Sequence, residues 1–170
     1  MSTMEYIAKT QEYLNYLKRH IENVNKAWVV LQDKCKDLRF IYDDYVYHNI
    51  RMEVEIHDLS KLSLSEFVQY RQRFYPVKDE PICSTDFGEA WEHHKLCNGH
   101  HWENWTVQKY YNPYEAEMHC VHMVIDWMAM GFEFDDNAQK YYEKNKDKIE
   151  LPDWAVKFIY EIFERLYRYD

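Results

Sequence analysis

Apolar residues recur at steps of three, four and seven along residues 4–31, where Tyr6, Tyr13, Leu14, Leu17, Ile21, Val24 and Trp28 align and no Gly or Pro intervenes. That period predicts one long amphipathic helix. His20 precedes Ile21 by one residue, at the margin of the stripe, which admits it to the inward side. Residues 34–49 are ambiguous, because Ile41, Tyr42, Tyr45, Val46 and Tyr47 suit a helix or a strand. Residues 51–59 read as a continuing helix. Ser63-Leu64-Ser65-Glu66 reads as a capping box, a hydroxyl at the N-cap with a carboxylate three residues on. Phe67, Tyr70 and Phe74 follow at helical spacing until Pro76.

Residues 77–85, with Pro81, read as a surface loop. A further helix starts at Ser84 or Thr85, carries Phe87, Trp91 and His94 on one face, and stops near Asn98-Gly99. Gly99 suits a left-handed C′ position there, and His100-His101 open a new turn. Asn112-Pro113-Tyr114-Glu115 supplies an N-cap, a proline at the first helical position and an early acid. That helix runs to Gly131, with Met118, Val121, Ile125 and Met128 facing a core. Residues 153–169 form the last helix, striped by Ala155, Phe158, Ile159, Ile162, Phe163 and Leu166. No internal repeat appears. The sum is one all-α domain, residues 1–170, of six or seven helices.

Composition narrows the function. With 3 Gly and 4 Pro in 170 residues, a loop-rich β-sandwich and long disordered linkers are disfavoured. A formal charge of -9 repels phosphate backbones and argues against general nucleic-acid binding. A small phosphorylated substrate stays compatible, since a bound metal brings its own positive charge. Cys35, Cys83, Cys97 and Cys120 lack C-x-x-C spacing, so reduced thiols rather than a disulfide framework are expected. Residues 1–10 hold no apolar leader core, and no run approaches the roughly 20 apolar residues of a membrane span. The expected location is the cytoplasm, the host's if the chain is phage-encoded; oligomeric state is not legible.

The candidate chemistry is concentrated in histidine. Between Trp91 and Trp105 lie the adjacent pairs His93-His94 and His100-His101, and His57-Asp58 stands upstream between Ile56 and Leu59. Imidazole titrates near neutral pH and is a common ligand of transition metals, and a neighbouring carboxylate extends the donor set to Mg²⁺. Adjacent helical residues diverge by about 100°, so one member of each pair is expected to ligate. Phe87, Trp91 and His94 share a stripe, which favours His94 over His93. His119, His122 and Asp126 recur at i, i+3 and i+7, spacing that holds a metal in some bundles but more often marks core-edge side chains. Asp126, in an apolar stretch, needs a cation or donors nearby, whereas Glu117 reads as a structural hydrogen-bonding group. Aromatic residues 42–47 and 102–105 fit nucleobase stacking, although core packing is their commoner fate.

His57-Asp58-Leu59-Ser60-Lys61 resembles the His-Asp-x-x-Lys signature of the HD-type metal-dependent phosphohydrolase superfamily. The larger pattern adds Ala90-Trp91-x-His93-His94-Lys95, Asn98-x-His100-His101-Trp102-Glu103-x-Trp105, Glu117-Met118 and Asp126. It resembles a bacterial and phage family of small proteins without an established activity. The superfamily resemblance implies an all-helical, HD-domain-like fold with ligands in the order His…His-Asp…Asp. Carried over, His57 and Asp58 match the central step, Asp126 the distal aspartate and His20 the leading histidine. His94, His100 and His101 match the extra ligands of two-metal members. Trp102-Glu103-Asn104-Trp105 stands where cyclic-dinucleotide phosphodiesterases carry Gly-Tyr-Pro, which argues against that substrate.

The expected function is therefore a metal-dependent phosphohydrolase or phosphodiesterase acting on a small phosphorylated substrate, a nucleotide first among them. Two divalent ions (Mn, Fe, Zn, Ni or Mg) are expected on His20, His57, Asp58, His94, His100 or His101, and Asp126, with Asp58 bridging and catalytic. Lys61 is expected to act in catalysis and, with Lys95, to bind the anion, while Arg73 reads as a solvated charge. Glu103 is expected to orient a ligating imidazole. The alternative is a non-catalytic, metal-stabilised module that sequesters a nucleotide signal or binds a protein partner.

Overall fold

A computed structural model of the chain describes residues 2–81, 86–107 and 113–168. Regular structure among them is entirely helical: α1 (Thr3–Lys34), α2 (Arg39–Tyr42), α3 (Asp44–Glu55), α4 (Phe67–Phe74), α5 (Phe87–Cys97), α6 (Trp102–Trp105), α7 (Pro113–Phe134), α8 (Ala138–Asn145) and α9 (Asp153–Tyr167), with a 3-10 turn at Leu59–Leu62. Seven of these run eight residues or more; α2 and α6 are single turns. Among the described residues no helix is long and apolar enough to cross a membrane. The expected helix starts at Ser84, Thr85 and Asn112, the last residue expected in α9 (Tyr169) and Cys83 lie outside the described residues. Two compact units emerge, Met1–Ile21 with Asp58–Asn98, and Glu22–His57 with Gly99–Asp170.

Unit 1 is built on the N-terminal part of α1, the 3-10 turn, α4 and α5. Tyr13, Leu17, Tyr70 and Ala90 form a buried apolar cluster in it, with Tyr16, Phe67, Phe87 and Trp91 packed against them. The α1 stripe differs from expectation in detail. Leu14 is 37% exposed and Ile21 half-buried, while His20 is buried at 3%. The inward face therefore runs Tyr13, Leu17, His20, in steps of four and three, so an imidazole occupies the place assigned to isoleucine. The expected capping box does not form. α4 begins at Phe67, and the Glu66 side chain, wholly buried, turns away from its own helix to meet two imidazoles. Arg71, also fully buried, is held by the Glu80 carboxylate, with Nη1 donating to Oε2 at 2.6 Å, and lies 4.5 Å over the Tyr6 ring.

In unit 2, α7 is the central element, packed against α3, α6, α8 and α9. Cys120, Val121, Met123, Val124 and Ile125 are successive or near-successive and all buried, as a helix surrounded by neighbours requires. Val24, Ala27, Trp28 and Leu31 of α1, Ile50 and Val54 of α3, and Ile159, Ile162 and Phe163 of α9 share that core. The ambiguous stretch resolves as helix, because the Asp43 carboxylate accepts from Tyr45 N (3.1 Å) and Val46 N (3.2 Å) and so caps α3. α7 outruns Gly131 to Phe134; a Cβ on Gly131 would stand 2.6 Å from the Asp136 carbonyl oxygen. α8, not evident from apolar period, starts where Asn137 Oδ1 accepts from Lys140 N at 2.9 Å.

Two expectations about backbone fail with clear causes. Residues 51–59 do not stay helical: α3 stops at Glu55, and Asp58 takes a left-handed conformation with φ 57°, which an aspartate tolerates better than most side chains. Gly99 is not left-handed, since no described glycine has positive φ. Close approach explains it instead, for a Cβ there would lie 2.2 Å from Cε1 of His119. Gly99→Ala is accordingly expected to destabilise the chain by about 1–3 kcal/mol, the usual range for overpacking. Urea denaturation at neutral pH measures it, and an unshifted midpoint would contradict the packing just described.

Candidate metal centres

In unit 1, Asp58 draws His20, His94 and Lys61 around its carboxylate. Asp58 is 5% exposed and has an imidazole at each oxygen: His94 Nε2 lies 3.2 Å from Oδ1 and His20 Nε2 3.5 Å from Oδ2. Lys61, three residues on in the 3-10 turn, donates from Nζ to Oδ2. The left-handed turn at Asp58 is what points this carboxylate inward between α1 and α5 of the same unit. Tyr16 stacks on the His20 ring, with centroids 6.2 Å apart and planes 8° from parallel.

His94 is fixed from its other side. Its Nδ1 donates to Glu66 Oε2 at 2.8 Å, and Ser60 Oγ donates to that same oxygen at 3.0 Å. Asn98 Nδ2 donates to the His94 carbonyl at 2.7 Å and to Ser60 Oγ at 2.7 Å. A carboxylate on one ring nitrogen presents the other to a cation, the arrangement that orients metal-binding histidines in many proteins. Two buried carboxylates converging on one imidazole also make a demand for positive charge. Burial pulls the His94 pKa down, but hydrogen bonds to Asp58 and Glu66 outweigh it and hold the imidazole above its ordinary value. Burial likewise raises Glu66, yet its bonds from His94 and His93 bring it below the usual carboxylate range.

Unit 2 holds a different cluster. His57 Nδ1 and His122 Nε2 are 2.9 Å apart, and His57 Nε2 is 3.6 Å from Asp126 Oδ1. The His100 ring lies 4.5 Å from that of His57, 4.6 Å from that of His122 and 4.4 Å from that of His101. His57, His100 and His122 each offer a nitrogen within 4.8 Å of the other two. Burial, then the neighbouring His57, His122 and His101, keep His100 far below the usual imidazole pKa. It is therefore a neutral imidazole at physiological pH. Burial also raises the Glu53 carboxyl, whose Oε2 stands 3.8 Å from His122 Nδ1.

Each expected residue can now be located. His20, Asp58, Lys61 and His94 meet in unit 1; His57, His100, His101 and Asp126 gather in unit 2. Lys95 pairs with Glu92 on its own helix at 2.8 Å and lies 5.5 Å over Trp91. Glu66 is the carboxylate that bonds imidazoles in unit 1, those of His93 and His94. Glu117 is a structural partner, bonded to Arg39, and Arg73 is exposed over Phe87. Glu66 was hidden by its resemblance to a capping acid. His122 was visible only as part of the i, i+3, i+7 face with His119 and Asp126, and it proves 1% exposed.

A family model described as a family of unknown function (DUF5662) matches residues 9–165. The chain belongs to that family. No curated protein and no solved structure matches it. The DUF5662 description carries no activity, so the chemistry has to be read from the side chains themselves.

Protonation behaviour of the metal-free chain differs between the units. His94, raised in the fold, stabilises fully below 6.5 and loses that contribution as pH rises through its folded value. Glu66, lowered, stabilises above 4.5 and loses its contribution in acid, so the pair is most effective between 4.5 and 6.5. His119 has the opposite sense to His94: burial lowers it to about 4, so its contribution is present above 6.5 and lost as pH falls towards 4. His119→Gln should thus remove about 1.4 kcal/mol per pH unit from the slope of unfolding free energy across that window. Urea titrations in chelator at several pH values read the slope, and an unchanged slope would refute the assignment.

Proposed function

We propose that this chain is a metal-dependent phosphohydrolase or phosphodiesterase of a small phosphorylated substrate, with a nucleotide as the first candidate. The observation that carries the reading is Asp58 held between His20 and His94 in the interior of unit 1, with Glu66 behind His94. The Asp58 carboxylate, with an imidazole nitrogen at each of its oxygens, offers donors that suit a divalent first-row ion and leaves positions for water and substrate. His57, His100 and His122 in unit 2 supply donors for a second ion, with Asp126 Oδ1 3.6 Å from His57 Nε2 beside them. The order His20, His57-Asp58, Asp126 along the chain adds the resemblance to HD-type phosphohydrolases.

Asp58 and its imidazole neighbours would hold a divalent ion, which would supply Lewis acidity toward water and phosphoryl oxygens. The protein's own groups do the rest. Glu66 holds His94 in the tautomer whose Nε2 faces Asp58. Lys61, 12% exposed at its side chain and already drawn to Asp58, is the cation within reach of a phosphoryl oxygen. Burial of His20, Asp58 and His94 excludes bulk water, so these charges act through a lower dielectric than at the surface. A net charge of -9 makes a local cation necessary for anion binding.

Protein purified without chelator is expected to carry stoichiometric Mn, Fe, Zn, Ni or Mg by elemental analysis and to release phosphate from members of a nucleotide panel. Asp58→Asn should lose both the ion and the hydrolysis, by on the order of 100-fold or more. Lys61→Ala should keep the ion but lower kcat/KM. Hydrolysis surviving in Asp58→Asn would remove this site from consideration. Tight nucleotide binding without phosphate release would replace the enzyme with a sequestering module.

A further inference from the structure

A second group of donors lies on the outer side of Glu66. His93 and Cys97 are four residues apart on α5 and therefore share one helix face. His93 Nδ1 is 2.7 Å from Glu66 Oε1, and Cys97 Sγ is 3.7 Å from each ring nitrogen of His93. One atom from each of the three falls within 4.8 Å of the other two. Glu66 is wholly buried, the His93 side chain is 40% exposed and Cys97 is exposed. The interior set of His20, Asp58 and His94 makes no use of His93 or Cys97.

We propose that Glu66, His93 and Cys97 form an outer site for a thiophilic divalent ion, zinc foremost, separate from the interior set. Tetrahedral zinc with bonds of about 2.3 Å to sulfur and about 2.0 Å to nitrogen or oxygen keeps its ligand atoms roughly 3.3–3.6 Å apart. The sulfur-to-nitrogen spacing already matches, and the Glu66–His93 pair need only open by a fraction of an ångström. Mixed sulfur, nitrogen and oxygen donors favour zinc or cobalt over magnesium and calcium, which take oxygen. On binding, the Cys97 thiol proton passes to solvent and the His93 proton moves from Nδ1 to Nε2, so charge and protons balance. Burial and the Glu66 carboxylate raise the thiol pKa, an opposition that a cation between the two groups removes. Three protein donors leave a fourth position open on the exposed side, as in exchangeable rather than closed zinc sites.

Glu66 makes the two sites communicate, since Oε2 serves His94 while Oε1 serves His93. An ion on Oε1 withdraws charge from the bond that orients His94. That coupling rests on the interior metal reading given above; the outer site does not.

The test is titration of the full reduced chain with Co²⁺, whose bond to a thiolate gives a near-ultraviolet charge-transfer band. The wild type should show that band together with uptake of one equivalent beyond the interior content. Cys97→Ser, a conservative change at an exposed position, should abolish the band while circular dichroism stays unchanged. His93→Gln should weaken uptake on the order of tenfold. Asp58→Asn should retain the band, which separates failure of the interior reading from failure of this one. No band in the wild type, a band persisting in Cys97→Ser, or its loss in Asp58→Asn would each overturn the outer site.

Discussion

Glu66 is a carboxylate with no exposure to water, and the organisation of unit 1 follows from what that costs. An ionised carboxyl stripped of solvent is unfavourable by several kcal/mol unless donors surround it. Here His93, His94 and Ser60 do so, and each is fixed by the requirement. His94 cannot rotate without orphaning an oxygen, so its second nitrogen is aimed at Asp58. Asp58 in turn needs His20 and Lys61. A chain of four obligations thus determines where α1, the 3-10 turn, α4 and α5 of this unit place their polar groups.

That network is a poor way to gain stability. Buried ion pairs seldom outperform apolar replacements of similar volume. Unit 2 shows that this chain can build an extended apolar core, from Val24 through Ile162. Yet the same unit also keeps His57, His100 and His122 buried side by side, where burial and mutual repulsion hold His100 neutral. Neutral imidazoles crowded together gain little from one another, but they suit a cation that competes with no proton. The two clusters differ in their electrostatics: one supplies negative charge and an oriented imidazole, the other uncharged nitrogens.

Most helices were legible because their burial is one-sided. α9 is the clearest case, with Ala155, Ile159, Ile162, Phe163 and Leu166 buried as its period implies. Residues 34–49 were not, since aromatic and β-branched residues fit either regular structure and the decision fell to the Asp43 cap. α8 escaped because only Ala138 and Tyr142 of its eight residues are buried, too few to show a period. Polar groups were harder. His20 stands at the margin of the stripe, and periodicity, which assigns apolar residues to the core, puts Ile21 there ahead of it. Glu66 met every local criterion of a helix cap, and only the fold reveals that His93 and His94 compete for its oxygens more effectively than its own backbone.

The left-handed turn at Asp58 carries the last step of the argument. Had residues 51–59 continued as one helix, His57 and Asp58 would have diverged by about 100° on a regular surface. Ending α3 at Glu55 replaces that fixed divergence with a turn, and a φ of 57° gives Asp58 a direction no helical residue has. The same turn starts the 3-10 segment that brings Lys61 back onto the carboxylate three residues later. Left-handed backbone at a non-glycine residue costs about 1 kcal/mol or more. The bonds made by Asp58 offset it, so the strain and the polar cluster are parts of one construction: neither has a physical reason to persist without the other.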